Sequence, residues 1–271
     1  MVSQIEKAHQ FKALHERDGC FVIPNPWDVG SVKILAHFGF EALATTSAGL
    51  AFSLGHRDGE GAISRDTVLA NSQTLVEATA LPISADLENG YANDPVSVGK
   101  TIQLAADIGL VGGSIEDTTA NKDAPIRDLG LAVDCVRAAV EAKKDLPFPF
   151  ILTARAENYL YGRPDLKDTI RRLQAYQEAG ADVLYAPGLP SKTEIEAIVS
   201  AVDRPVNVII GAHQLGVSDL TELGVKRVSI GSVMFRAAYG ELFNAIHEIQ
   251  DQGTFTFTKK AVPFADLNTI F

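Results

Sequence analysis

The chain has 271 residues, 46% of them hydrophobic, with 22 glycines and a formal net charge of −10 at pH 7. The negative charge excludes nucleic acid as an expected partner, because phosphate contacts need clustered Lys and Arg. Apolar runs stay shorter than the roughly 20 residues of a membrane-spanning helix, so we expect no membrane partner. Cys20 and Cys135 form no CxxC pair, and no signal-peptide pattern opens the chain, which together favour the cytoplasm.

Hydrophobic periodicity predicts eight strands, each followed by a helix. After an amino-terminal segment 1–20 with a helix over 1–18, the strands begin at 21, 42, 83, 113, 150, 183, 206 and 227. Small residues 48–50 indicate a turn after the second strand. Helices are expected over 29–40, 64–79 with Ser64 as N-cap, 94–108, 129–144, 166–179, 192–202, 217–223 and 233–251.

Regular strand–helix alternation implies parallel strands joined by crossover helices. Eight such units at this length indicate a closed (β/α)8 barrel of the TIM type, as one domain over 1–271. An open nucleotide-binding sheet would have a GxGxxG turn after its first strand, and the chain has Asn25-Pro26-Trp27-Asp28 there. The aromatic tail, 253–271, is expected to pack across the barrel or onto a neighbouring subunit.

Two acids, Asp86 and Glu88, stand at the carboxyl end of the third predicted strand. Strand side chains repeat every two residues, so strict alternation places both carboxylates on one face. Carboxylates are costly in a dry core but are preferred ligands of hard divalent cations. An exposed loop with two solvated acids is the alternative interpretation.

Further polar residues follow neighbouring strands, where the active site of such a barrel lies. Asp58, Glu116 and Arg155 are expected at the same mouth. We interpret the set as a Mg²⁺ site, with Mn²⁺ as the alternative ion, because these ions are often held by only one or two carboxylates directly. Asp86 is the expected direct ligand, and the other three acids, Asp58, Glu88 and Glu116, are expected to contact metal-bound water. Structural ion pairs are the competing explanation.

The expected substrate is a small α-keto or α-hydroxy carboxylate. Arg155 suits a carboxylate or phosphonate as a fork-shaped donor. Backbone N–H groups around Thr46, Ser47 and Ala48 would hold the other end of the molecule. Asn207 on the seventh strand and His213 after it are further binding candidates. The expected catalytic residues are Arg155, Ser47 and Glu116.

Three motifs, 86–91 (DLENGY), 114–117 (SIED) and 153–157 (TARAE), with the loop 55–58 (GHRD), resemble the isocitrate lyase/phosphoenolpyruvate mutase superfamily. The resemblance covers most of the chain and implies a magnesium-dependent barrel that forms or breaks a C–C or P–C bond next to a metal-stabilised enolate. It also implies a homodimer or homotetramer with an exchanged carboxy-terminal helix. By motif position, the metal ligands carry over to Asp58, Asp86, Glu88 and Glu116, and the substrate arginine to Arg155.

One segment departs from the superfamily pattern. Isocitrate and methylisocitrate lyases have a Lys-Lys/Arg-Cys-Gly-His segment after the fourth strand, and this chain has a polar stretch without cysteine or histidine over 118–128. Cys135 falls in the next helix, where a buried thiol is expected to be inert. The first hypothesis is therefore C–C cleavage of a keto acid such as oxaloacetate without a catalytic cysteine. P–C chemistry and a non-catalytic keto-acid-binding protein are the alternatives.

Overall fold

The computed structural model describes residues 2–119, 121–211 and 213–271. Two predictions extend beyond these residues, because Met1 opens the predicted amino-terminal helix and Ala120 lies in the predicted polar stretch. Within the described residues eight strands form one sheet: β1 (Phe21–Ile23), β2 (Leu43–Ala44), β3 (Ile83–Asp86), β4 (Gly112–Glu116), β5 (Ile151–Arg155), β6 (Val183–Tyr185), β7 (Val206–Ile209) and β8 (Arg227–Ser229).

Helices follow the strands and surround the sheet. They are α1 (Gln4–Glu16), α2 (Val29–His37), α3 (Ser47–Ser53), α4 (Arg65–Glu77), α5 (Pro95–Asp107), α6 (Leu129–Lys144), α7 (Leu166–Glu178), α8 (Lys192–Ala201), α9 (Val217–Glu222), α10 (Val233–Gln252) and α11 (Phe264–Ile270), with a 3₁₀ turn at Thr256–Lys259.

The strands are parallel and pair in the order β1-β8-β7-β6-β5-β4-β3-β2. At the seam between β1 and β2, the Ala44 N–H donates to the Pro24 carbonyl at 3.0 Å. Asn25 reinforces this seam, since its Nδ2 donates to the Thr45 carbonyl at 3.0 Å. The Asn25 Oδ1 accepts from the Ile230 and Gly231 amides beyond β8, at 2.9 and 2.8 Å. The nearly closed barrel confirms the predicted fold class.

Short polar side chains start most of the helices. Ser64 caps α4 as predicted, by accepting a hydrogen bond from the Thr67 amide. Thr46 does the same for α3 through the Gly49 amide. The prediction of a turn over 48–50 was therefore wrong, because a threonine cap followed by small residues starts a short helix directly after the brief strand β2.

Two layers of apolar side chains position the site. One fills the space between the strands and the outer helices, and includes Leu152, Leu184 and Ile102. The other lies where α1 packs against the amino ends of the strands, with Phe11 and Phe21 at its centre. Phe11 comes so close to Gly112 that a Cβ there would lie 2.8 Å from its ring. The amino-terminal end of the barrel is therefore covered, and its carboxyl end holds the cavity.

The carboxy-terminal segment lies outside the barrel. α11 contacts α2, and the Lys33 Nζ donates to the Phe271 carbonyl at 3.4 Å. α10 has Phe235 as its buried residue, while Leu242, Phe243 and neighbouring apolar side chains along it are exposed. In the part of the chain that the structure describes, no helix combines the length and apolar character needed to cross a membrane.

Candidate active site

A cavity of about 190 Å³ opens at the carboxyl ends of the strands. The lining comes from every strand of the barrel or the loop that follows it, and it includes most of the predicted site. The predicted residues in this lining are Thr46, Ser47, Ala48, Asp58, Asp86, Arg155 and Asn207. The structure therefore brings most of the predicted residues together at one cavity, and their functional roles stay predictions.

Asp86, the last residue of β3, is held by groups from α3, from β5 and from Thr45, which directly follows β2. Its Oδ2 accepts from the Ser47 hydroxyl at 3.0 Å and from the Ser47 amide at 3.4 Å. Its Oδ1 accepts from the Arg155 Nη1 at 3.0 Å. Its own amide donates to the Thr45 hydroxyl at 2.9 Å. These contacts fix the carboxylate and place it directly beside the first turn of α3.

Arg155 lies among three carboxylates, so its guanidinium is not an unpaired donor facing the cavity. Its Nη1 contacts Asp86 at 3.0 Å, its Nη2 contacts Glu116 at 3.1 Å, and its Nε contacts Glu157 at 2.8 Å. Burial raises the pKa of Glu116, and the neighbouring guanidinium opposes that shift. In this arrangement a substrate anion would have to share Arg155 with these acids.

Glu88 joins the acidic cluster from a turn and not, as predicted, from the strand itself. β3 ends at Asp86, so the strand alternation used to place Glu88 does not apply, and Glu88 has a φ of +45° in the turn that follows. Its Oε1 accepts from the Tyr91 hydroxyl at 2.9 Å. Burial, then the charge of Asp86, raise the pKa of Glu88 to about 7. The prediction of one shared strand face was wrong, because the backbone leaves the extended conformation.

Asp58 and Glu88 lie at different sides of the acidic cluster. Asp58, on the loop after α3, lines the cavity beside Asp86. Partial enclosure, then the charge of Asp86, raise the pKa of Asp58. Glu88 and Glu116 instead line a neighbouring open cavity of about 700 Å³, which Tyr91, Thr118 and Tyr161 also border.

A buried network behind the site was not predicted. Asp117 is 3% exposed, and its Oδ2 accepts from the Arg172 Nη1 at 3.0 Å and the Tyr176 hydroxyl at 2.7 Å. Its Oδ1 accepts from the Glu157 amide at 2.9 Å, which fixes the residue that contacts Arg155. Arg172 and Tyr176 are four residues apart and therefore lie on the same face of α7. This spacing is the feature of the sequence that could have indicated the network.

The opposite wall of the cavity is formed by β6, β7 and β8. Asn207 is 1% exposed, and its Nδ2 donates to the Ser229 hydroxyl at 3.0 Å. Its Oδ1 accepts from the Nε of Arg227 at 2.8 Å. Arg227 and Tyr185 also line the cavity and were not predicted. Arg227 could have been found from the sequence, because it is a charged residue at the start of the otherwise uncharged, buried strand β8.

His213 and Cys135 lie apart from this cavity. The His213 Nε2 lies 2.8 Å from the Ile209 carbonyl, and its Nδ1 accepts from the Leu215 amide at 3.1 Å. The residue is absent from the described linings of both cavities, so its contact with substrate stays a prediction. Cys135 is buried on α6 beside the Arg127 Nη1, and burial raises the pKa of its thiol, which disfavours the reactive thiolate.

Comparison with known proteins places this arrangement in a family. The model of the phosphoenolpyruvate phosphomutase family matches residues 11–250. The chain belongs to this family. The match covers the whole barrel and agrees with the resemblance carried by the three motifs.

The chain matches several known proteins over most of its length. An uncharacterised protein of Mycobacterium tuberculosis is 33% identical over 258 residues, which cover 95% of this chain and 94% of that protein. The oxaloacetate decarboxylase of Chromohalobacter salexigens is 26% identical and covers 92% of this chain and 87% of its own. A candidate lyase/mutase of Burkholderia cenocepacia J2315 has a crystal structure that superimposes with a TM-score of 0.96 at 54% identity, covering 98% of this chain and 96% of that one.

The segment 118–128 follows β4 and lacks the cysteine and histidine of the lyases. Main-chain contacts join its two ends. Thr118 and Ile126 form an antiparallel bridge, and the Arg127 amide donates to the Asp117 carbonyl at 2.7 Å. These main-chain bonds hold the two ends of the polar stretch together as a narrow hairpin, which the sequence did not predict. Thr118 also donates to the Glu116 Oε1 at 2.8 Å, so the hairpin starts at the site.

The acidic side chains fit a divalent cation by their chemistry. In the described ranges no three His, Cys, Asp or Glu residues are already gathered as a ligand set. The carboxylates of Asp58, Asp86 and Glu88 nevertheless share one region, and their mutual repulsion contributes to the raised pKa values of Asp58 and Glu88. A hard cation with oxygen ligands would relieve that repulsion.

Proposed function

We propose that this chain is a Mg²⁺-dependent lyase or hydrolase that cleaves a C–C bond of a small α-keto or α-hydroxy carboxylate, such as oxaloacetate. The observation that carries the proposal is the single small cavity in which Asp86, Ser47 and Arg155 meet. Its volume of about 190 Å³ lies below the roughly 300–1,000 Å³ of pockets for drug-sized ligands, so a molecule of few atoms suits it. The decarboxylase relatives support the substrate class.

Asp86 would hold Mg²⁺, or Mn²⁺ as the alternative ion, with Asp58, Glu88 and Glu116 contacting its water ligands. When bound, the ion would supply positive charge beside the α-oxygen of the substrate, where negative charge develops as the bond breaks.

The protein groups would orient the substrate around that point. The hydroxyl and amide of Ser47 already face Asp86, and the amides of Ser47 and Ala48 open α3 beside the cavity, where they would donate to the keto-acid carboxylate. Arg155 would stabilise charge on the other side of Asp86. The raised pKa of Glu116 suits this carboxyl to exchange a proton with the reacting atoms.

P–C bond chemistry is the second candidate, because the matching family model is that of phosphoenolpyruvate phosphomutase. The 118–128 segment would have to grip the phosphoryl group, and it offers Asn121 and Lys122. Thr119 is turned inward to this hairpin, since its hydroxyl donates to the Ala124 carbonyl at 2.6 Å and accepts from the Asn121 amide at 3.1 Å.

We further propose a homodimer or homotetramer in which α10 is exchanged between subunits. The helix carries exposed apolar residues spaced along one side: Tyr239, Leu242, Phe243, Ile246 and Ile249. Such a stripe on a 20-residue helix is typical of an interface.

The deciding experiment is a substrate panel assayed with Mg²⁺ and with EDTA. We expect Mg²⁺-dependent release of pyruvate or oxalate from oxaloacetate that survives Cys135→Ala and falls at least about a hundredfold in Asp86→Ala. Asp134→Ala is the matched control, because this aspartate is exposed on α6. Phosphate release from phosphonopyruvate would favour the second candidate. Full activity and metal binding in Asp86→Ala would refute the site assignment, and tight keto-acid binding without turnover would indicate a non-catalytic binding protein.

A further inference from the structure

Arg227 is a buried cation at the floor of the site cavity. It is the first residue of β8 and is 5% exposed, yet it contributes to the cavity lining. Its Nη2 crosses to the Thr153 hydroxyl on β5 at 2.9 Å, and its Nη1 lies 3.3 Å from the His15 Nε2 below. The guanidinium therefore spans the barrel interior, one layer beneath Arg155.

The partners of Arg227 are uncharged. Its Nε donates to the Asn207 amide oxygen, and in the described residues no carboxylate lies within 4 Å of the group. A guanidinium has five N–H groups. Three are used by Asn207, Thr153 and His15, and two have no partner in the described parts of the chain.

An isolated buried charge is costly. Burial lowers the pKa of Arg227 to about 10, with a small opposing influence of Tyr185, and the group stays protonated near neutral pH. Arg155 and Arg172 each contact at least two acids, and the buried Arg127 instead donates to the Asn89 and Ala92 carbonyls. Arg227 would be compensated in the same way by an anion that enters the cavity.

The interior around Arg227 leaves room for such an anion. Barrel interiors are usually filled by branched apolar side chains. Here Ser84, Ser114 and Ser229 line the space instead, together with Ala44 and Tyr185. Because the serines and Ala44 are short, the cavity extends from Asp86 down to Arg227.

We propose that Arg227, with Asn207 holding its guanidinium in place, forms an anion subsite that selects α-keto dicarboxylates over monocarboxylates. The inference rests on the proposed keto-acid function. One carboxylate would lie at Asp86 and Ser47, and the second would lie against the two remaining N–H groups of Arg227. Arg155 is less suited to this task, since three carboxylates already surround it.

Calorimetric binding of 3,3-difluorooxaloacetate and pyruvate, both with Mg²⁺, tests the subsite without turnover. We expect the wild-type protein to bind the dicarboxylate at least about tenfold more tightly, and Arg227→Met to bring the ratio within about threefold while pyruvate binding stays unchanged. Arg227→Lys should retain part of the preference. Asn207→Asp keeps the arginine and adds a carboxylate where its Nε already bonds at 2.8 Å, so it should also weaken dicarboxylate binding.

Arg171→Met, at an exposed arginine on α7, is the matched control. An unchanged preference in folded Arg227→Met, an equal weakening of both ligands, or no dicarboxylate preference in the wild type would each overturn the subsite. If oxaloacetate is not turned over but the Arg227-dependent preference is present, the proposed reaction fails and the subsite stands. If turnover is normal and Arg227→Met keeps the preference, the subsite alone fails.

Discussion

The two halves of the barrel interior differ in charge. From β2 to β5 the cavity walls carry five carboxylates, those of Asp58, Asp86, Glu88, Glu116 and Glu157, and Arg155 contacts Asp86, Glu116 and Glu157. From β6 to β8, the lining residues Tyr185, Asn207, Arg227 and Ser229 include a cation and no acid. The comparison shows that one side of the cavity is acidic and suits a metal ion, while the other side carries a cation and suits an anion. A cavity of this kind suits an anionic ligand that is held partly through a metal.

Arg155→Met should have the largest effect, because it removes the cation from the acidic half. Three carboxylates would be left close together with little solvent, and we expect the free energy of unfolding to fall by about 3–5 kcal/mol. Urea denaturation measures the change. Arg137→Met, which removes an exposed arginine paired with Asp134, should change the unfolding free energy by less than about 0.5 kcal/mol. A loss below about 1 kcal/mol in Arg155→Met would mean that Arg155 is not what holds the acids together.

The second prediction concerns His15, beneath the cationic half. Its Nδ1 lies 2.8 Å from the Phe11 carbonyl and its Nε2 faces Arg227, so the neutral ring satisfies both contacts. Burial, then the charge of Arg227, lower the pKa of His15 to about 3. The unfolded chain takes up a proton below about pH 6.5 and the folded chain does not, so stability is fully present above that pH and is lost as pH falls toward 3.

Between pH 6.5 and 4 this difference should cost the wild type about 1.4 kcal/mol per pH unit from His15 alone. Urea denaturation at several pH values measures it against His15→Gln, whose stability should fall less steeply. His9→Gln, at an exposed position on α1, should follow the wild-type slope. Parallel slopes for wild type and His15→Gln would show that the buried ring is not held neutral.

Asn25 joins the two halves at the β1–β2 seam, and its replacement should have an intermediate effect. Asn25→Ala leaves the Thr45 carbonyl and the Ile230 and Gly231 amides without their side-chain partner. We expect a loss of about 2 kcal/mol in unfolding free energy, measured by urea denaturation. Asn93→Ala, at an exposed position, is the control. A matching small loss in both variants would indicate that water replaces Asn25 at the seam.

Glu88→Gly should have the smallest effect on stability, with the opposite sign. Glycine adopts a φ of +45° without the steric cost that glutamate has there, and we expect a gain of about 1 kcal/mol in unfolding free energy. Mg²⁺ affinity, measured by calorimetry, should fall, because one acid of the cluster is gone. Glu88→Gln separates the two effects, since it removes the charge and keeps the strained backbone. Unaltered Mg²⁺ affinity in both variants would remove Glu88 from the proposed metal site.

The barrel and most of its mouth were predictable from the sequence for a local reason. Strand–helix periodicity and capping residues such as Ser64 act over a few residues, and parallel strands bring their carboxyl ends together wherever the chain alternates in this way. Asp86 and Arg155 were correctly placed because they end strands. Glu88 was placed by the wrong argument, since the strand ends two residues before it.

The sequence by itself determined the eight-unit alternation, the set of acids at the mouth and the absence of a cysteine from the segment after the fourth strand. Only the tertiary structure decided the partners: Arg155 among three acids, Asp117 turned away to Arg172, and Arg227 beneath the cavity without a carboxylate. The physical reason is range. Periodicity and capping depend on neighbours in the chain. The charge balance of a buried group depends instead on side chains that folding brings together from 20 to more than 200 residues apart, as with the contacts of Arg227 to Asn207, Thr153 and His15.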